Sequence, residues 1–352
     1  MEDDVYADLV ALCQFLPGPA SSQVGIGIGL SQGGLRGGIA AWAGFTLPSA
    51  IVLVLFAYGL ETIGETATTG GWLGGLKIAA VAVVAQAVLG MANKLCPDSG
   101  RRILALLAAL IAYLFVGVFG QLAALGLSAL CGYLFFSSAD NSGNGKSHLF
   151  PANHPQALGS LVLFFLLLVG LPMVASLGHF PALFDSFYRA GSLVFGGGHV
   201  VLPLLQAEVV GNGWLNNDLF LAGYGAVQAV PGPLFTFSAY LGAAMESGLV
   251  RWSSALLSVV AIFLPSFLLV VGILPYWDKL RSFEQVRKIL IGVNAGVVGL
   301  LAAAFINPVL TSGIHNLFDL LLALFAFWLL QFKSFPSWGV VLVCALVGGL
   351  LR

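Results

Sequence analysis

One short pattern, Gln-x-x-Pro-Gly-Pro, occurs twice in this chain, at residues 14–19 and 228–233, about 214 positions apart. Pro17-Gly18-Pro19 and Pro231-Gly232-Pro233 cannot continue a regular helix, because two of the three residues lack an N–H and the glycine between them is permissive. A helix that restarts after such a break presents free N–H groups and the positive end of its dipole, which together form an anion site. Hydroxyls follow each break, Ser21 and Ser22 in the first copy and Thr236 and Ser238 in the second. They could donate to an oxyanion or bond to their own backbone. Gln14 and Gln228 open the two patterns as amides in apolar runs, where such groups bind substrate or join helices. A third interruption is Gly196-Gly197-Gly198 followed by His199, either a backbone opening beside a cavity or a site of close packing. His199 is a candidate proton carrier, or a donor to a neighbouring carbonyl. Arg189 could attract a divalent anion through its rigid donor fork, with a local pair to Asp185 as the competing reading. Glu208 is a second proton-coupling candidate if it lies at membrane depth. No metal site and no cofactor are indicated, since Cys13, Cys96, Cys131 and Cys344 are scattered without paired spacing.

The elements that must hold these residues are transmembrane helices. Of 352 residues 59% are hydrophobic and only 8% charged, against about 25% charged in a soluble domain. Mean hydropathy is +0.98, and the apolar runs are continuous, which argues for helices and against a barrel. Spans are expected at 39–60, 76–93, 103–119, 121–136, 157–178, 252–274, 289–306, 317–332 and 338–351. Broken elements are expected at 5–30, 184–208 and 219–247. The tight join between 103–119 and 121–136 falls on Gly120. Net charge is −1, with no basic patch to suggest nucleic acid. Gly145-Lys146-Ser147 lacks the glycine a phosphate loop needs four residues earlier, and no catalytic constellation points to an enzyme.

The halves match beyond the Pro-Gly-Pro copies: Thr46-Leu47-Pro48-Ser49 pairs with Phe263-Leu264-Pro265-Ser266. The expected domains are 1–137 as a first repeat, 138–183 as a polar loop plus a linking span, and 184–352 as a second repeat. The 184–208 element has its counterpart before residue 1, so the first repeat reads as incomplete at its start. Basic clusters at Arg36, Lys94/Arg101/Arg102, Lys146, Lys279/Arg281/Arg287/Lys288 and Lys333 fall on one side, which the positive-inside rule assigns to the cytoplasm. Arg189 and Arg251 are exceptions. The extra crossing at 157–178 then inverts the second repeat relative to the first. The expected fold is an all-α polytopic membrane protein of two inverted-topology repeats with Pro-Gly-Pro-broken helices, joined by one extra span.

The run Tyr6-Ala7-Asp8-Leu9-Val10-Ala11-Leu12-Cys13-Gln14-Phe15-Leu16-Pro17-Gly18-Pro19-Ala20-Ser21-Ser22-Gln23, with Gln-Ala-Val-Pro-Gly-Pro at 228–233 and Phe-Gly-Gly-Gly-His at 195–199, resembles the two-domain chromate ion transporters over nearly the whole chain. The resemblance implies export of chromate across the bacterial cytoplasmic membrane, driven by the proton motive force and giving chromate resistance. Family members also open the first domain with Phe-Gly-Gly, which this sequence lacks. The implied partners are chromate or a related oxyanion and the lipid bilayer. A homodimer is left open. The alternatives are a general sulfate or oxyanion carrier and a non-transporting membrane scaffold or sensor.

Overall fold

A computed structural model describes residues 3–63, 71–137 and 154–351. The polar segment expected to divide the halves falls largely outside these residues. The described residues are helical throughout their regular elements, with no strand. Among the described residues six helices are long and apolar enough to cross a bilayer, and the chain is an all-α, multi-pass membrane protein.

The chain opens with α1 (Asp3–Phe15) and, after the first Pro-Gly-Pro, α2 (Ala20–Ile63). α2 is two arms rather than one rod: Gly33 and Gly34 leave helical geometry, Gly34 at φ +58°. The arms fold back so tightly that a Cβ on Gly29 or on Gly37 would collide with the other's carbonyl. Then follow α3 (Gly71–Leu95), the hairpin α4 (Ser99–Leu114) and α5 (Val118–Phe135), and α6 (His154–Val174). The hairpin turns at Gly117, whose φ is +113°, three residues before the expected Gly120. Gly120 instead lies inside α5 against the Phe115 carbonyl. α6 is the peripheral span, with Leu158, Val162, Phe165, Leu166, Val169 and Met173 all exposed. In a membrane-spanning helix such a face suits hydrocarbon.

The second half contains α7 (His179–Leu193), α8 (Val201–Val209), α9 (Asn217–Val227), α10 (Phe237–Ala244) and α11 (Val250–Ile273). It closes with α12 (Glu284–Ala304), α13 (Leu317–Phe332) and α14 (Ser337–Leu351). The two halves are interlocked. α3 packs on the closing helices α13 and α14, while α12 packs on the hairpin α4–α5 of the first half. Small residues permit both crossings. Gly75 of α3 and Gly348 of α14 meet backbone to backbone, and so do Gly132 of α5 and Gly292 of α12. These pairs occupy corresponding positions in the two halves.

Candidate functional site

Three backbone breaks converge. The first lies between α1 and α2, where Gly18 adopts φ +123° and donates its N–H to the Val194 carbonyl at 2.7 Å. Val194 is the last residue before the second break, Phe195-Gly196-Gly197, in which both glycines have positive φ, +77° and +142°. Gly198 then opens a short turn into α8 and packs against Leu234. Leu234 follows the third break, Pro231-Gly232-Pro233, and leads through a single turn into α10. The Gly-Gly-Gly break therefore touches both Pro-Gly-Pro breaks.

Two serines lock the arrangement across the halves. Ser49 of α2 donates its hydroxyl to the Pro231 carbonyl at 2.5 Å, and its side chain occupies the space a Gly232 side chain would need. Ser266 of α11 does the same at the other break, where a Cβ on Gly18 would lie 2.6 Å from Ser266 Oγ. Each half's Leu-Pro-Ser serine thus seats against the glycine of the other half's Pro-Gly-Pro. Ser266 differs in one respect: it is fully buried and its hydroxyl has no hydrogen-bond partner among the described residues. Both glycines sit at positive φ, +123° and +148°, where any side chain would be strained as well as crowded.

The remaining candidates divide clearly. Pro19 is buried and Pro17 half-buried, its carbonyl accepting from Gln23 Nε2 at 2.7 Å. Ser22 is buried, its hydroxyl without a partner among the described residues, while Ser21 and Gln14 are exposed. Thr236 and Ser238 are buried but donate to the Pro233 and Phe235 carbonyls, both at 2.7 Å, so these hydroxyls are taken up by their own backbone. Pro231 and Gly232 are exposed and Pro233 is buried. The Tyr224 hydroxyl lies 2.8 Å from His199 Nδ1, and Gln228 Nε2 has no partner among the described residues. The His199–Tyr224 contact ties the Gly-Gly-Gly break to α9, the helix that leads into the third one. Arg189 is not offered to an anion at the breaks. Its guanidinium is bound by Asp185 and, at 3.2 Å, by Glu208, whose other oxygen accepts from Ser186 at 2.8 Å. The local pair of Arg189 with Asp185 is present, and Glu208 joins it.

The sequence reading did not place Ser49, Ser266 or Tyr224 in the site. The matched Leu-Pro-Ser triplets were the available signal for the serines, since a residue repeated beside each proline has reason to face the symmetry axis. Nothing in sequence marks Tyr224, because its partner His199 is 25 residues away along the chain.

Helices interrupted at one locus within an apolar helical body are a feature that secondary transporters share, since irregular backbone survives at depth only where it is enclosed or lines a path. The family model for chromate transporters matches residues 1–134 and 181–349, and the chain belongs to that family. It is 27% identical over 321 residues to the chromate transport protein of Pseudomonas aeruginosa, covering 85% of this chain and 70% of that one. It is 25% identical over 373 residues to the probable chromate transport protein of Synechococcus elongatus, covering 97% and 84%. An uncharacterised transporter of Methanocaldococcus jannaschii is 23% identical over 354 residues, 100% of this chain and 86% of its own length. No solved structure matches the chain.

Proposed function

We propose that the protein is a secondary transporter that exports chromate, a tetrahedral divalent oxyanion, from the bacterial cytoplasm across the inner membrane at the expense of the proton motive force. The reading is carried by the reciprocal seating of Ser49 on Gly232 and Ser266 by Gly18, in a chain of the chromate transporter family. The substrate sits where the breaks meet, held by the first N–H groups of α2, those of Leu234 and Phe235 ahead of α10, and the free hydroxyls of Ser22 and Ser266. Helix starts and hydroxyls are suited to a dianion without demanding a fixed cation beside it.

The two halves act as inverted repeats, residues 1–137 and 184–352, linked by 138–183. The matched crossings at Gly75/Gly348 and Gly132/Gly292 support that relation. Such a pair supplies inward-open and outward-open states by exchanging the conformations of its halves. His199 and Glu208 are the residues proposed for proton coupling.

Uptake of labelled chromate into everted vesicles tests the reading. Uptake should require an imposed proton gradient and should withstand moderate sulfate. Uptake that persists after the gradient is collapsed rules out proton drive, and complete suppression by excess sulfate makes the protein a general oxyanion carrier. No oxyanion flux from the full-length protein would make it a scaffold or sensor.

A further inference from the structure

The group Asp185, Ser186, Arg189 and Glu208 stands apart from the three breaks and holds an unbalanced charge. Asp185 and Glu208 are 4% and 5% exposed, and one guanidinium lies between them. Two carboxylates and one arginine leave one negative charge, buried in a protein surrounded by lipid. Among the described residues, the helices packed around the group bring no second cation to it: α12 carries Arg287 and Lys288 only near its start, and Asp218 of α9 is paired with Lys77. Over 254–272, α11 has no titratable side chain, and α6 carries only His154, at its far end. On α5 the facing residues are Val118, Gln121 and Leu122, and its titratable Cys131 and Tyr133 lie several turns further on. Within α8 Glu208 is the only ionisable residue; on α7 the remaining ones are Tyr188, whose hydroxyl donates to the Phe164 carbonyl at 2.9 Å, and His179, six residues before Asp185 and paired with Glu246 at 2.8 Å. Removing a surplus buried charge by binding a proton costs less than leaving it uncompensated.

The donors differ between the two acids. Glu208 has one on each oxygen, Arg189 on one and Ser186 on the other. Asp185 has Arg189 alone among the described residues. A carboxylate with donors on both oxygens is held in its charged form, and its less supported neighbour takes the proton.

The group also has a way out. A gap of about 10 Å³ is lined by Arg189, Glu208, Gln121, Leu193 and Leu204, which is room for about one water molecule. Gln121 also lines a larger crevice of about 240 Å³, with Tyr113, Gln206 and Asn307 on its walls. Gln121 donates to the Pro203 carbonyl at 2.8 Å and keeps a buried oxygen without a partner among the described residues, so one amide lines both the crevice and the gap beside Glu208 and Arg189, through which Asp185 is reached.

We propose that Asp185 and Glu208, bridged by Arg189, form a proton-binding site that holds one shared proton, located mainly on Asp185 and exchanged with the outer crevice past Gln121. The step is a protonation alone: one proton is gained or lost at a carboxylate, and Arg189 stays charged throughout. As the site that would supply coupling, it rests on the proton-driven reading above, though proton occupancy can be measured without transport.

Infrared titration of the purified full-length protein, compared with Asp185→Asn and Glu208→Gln, tests the proposal. The wild type should show one protonated-carboxyl band that outlasts those of free carboxylic acids as pH rises, and each variant should lose it. A band unchanged in both variants, or no such band in the wild type, overturns the site. In reconstituted vesicles each variant should keep chromate-for-chromate exchange within about twofold while gradient-driven accumulation falls at least tenfold. Exchange and accumulation falling together in folded variants would mean a structural role and overturn the proposal. Asp185→Glu should restore accumulation, and failure of rescue alongside lost exchange counts the same way. Should wild-type accumulation ignore the gradient while the infrared band behaves as expected, the coupling reading fails and the proton site stands.

Discussion

Replacing Ser266 with alanine should make the protein bind its substrate worse while leaving it as stable or more so. The hydroxyl is fully buried and without a partner among the described residues, and an unsatisfied buried polar group costs about 1–3 kcal/mol. Its removal therefore leaves unfolding stability unchanged or raises it by about 1 kcal/mol. In the loaded protein the same hydroxyl donates to an oxyanion. A hydrogen bond to a charged group is worth about 1.5–3 kcal/mol, and every 1.4 kcal/mol is tenfold, so chromate affinity should fall about 10- to 100-fold. Ser49→Ala is the internal control. Ser49 already donates to the Pro231 carbonyl, so losing it should cost about 1 kcal/mol of stability. Two serines at matched positions should then move stability in opposite directions. Equilibrium chromate binding and denaturant unfolding on the purified variants provide both readouts. Wild-type affinity in Ser266→Ala, or a loss of stability larger than that of Ser49→Ala, would refute the assignment of Ser266 to the site.

Gly18→Ala places a side chain at φ +123° and against both Gln23 Nε2 and Ser266 Oγ; strain of about 1–3 kcal/mol and a similar overpacking term should appear in unfolding, with Ser266→Gly recovering only part of the second. Full stability in the single variant would show that the break relaxes. Arg251 is 2% exposed, pairs with Glu61 of α2, binds the Glu246 carbonyl at 2.8 Å and lies 4.5 Å above the Tyr58 ring. Because Glu61 is half exposed, Arg251→Ala should cost only about 1–3 kcal/mol, and denaturant unfolding that is unchanged would show that this latch between the halves carries no load. A cysteine introduced at position 143 should react with an impermeant thiol reagent only from the cytoplasmic side. The native background is low, because Cys13, Cys96 and Cys344 are buried and Cys131 half-buried. Labelling from outside would invert the topology.

The spans and breaks were legible because lipid imposes continuous apolar runs and because proline and glycine interrupt them for backbone reasons. Expected 317–332 coincides with α13, and the breaks at Pro17-Gly18-Pro19 and Pro231-Gly232-Pro233 fall between helices as their missing N–H groups require. The hairpin turn was misplaced by three residues, since Gly117 and Gly120 look alike in sequence and only the backbone path decides which needs a positive φ. Which hydroxyls are free was not legible. Thr236 and Ser238 lie one helical turn from carbonyls they can reach, and they take them. The interlocking of the halves was hidden for another reason: Gly75 meets Gly348, and Gly132 meets Gly292, across long stretches of the chain. Glycine alone does not name its partner. Arg189 was ambiguous until Glu208 came into reach, from a helix beyond the Gly-Gly-Gly break.

The account stands most directly on where the oxyanion binds. Anomalous diffraction at the chromium edge from crystals of the full-length protein with chromate would locate it without reference to any residue's assumed role. The account predicts one chromium site where the three breaks meet, within hydrogen-bond reach of Ser266 Oγ and of the first N–H groups of α2 or of the turn ahead of α10. A chromium site on Arg189, or one remote from all three breaks, would contradict it.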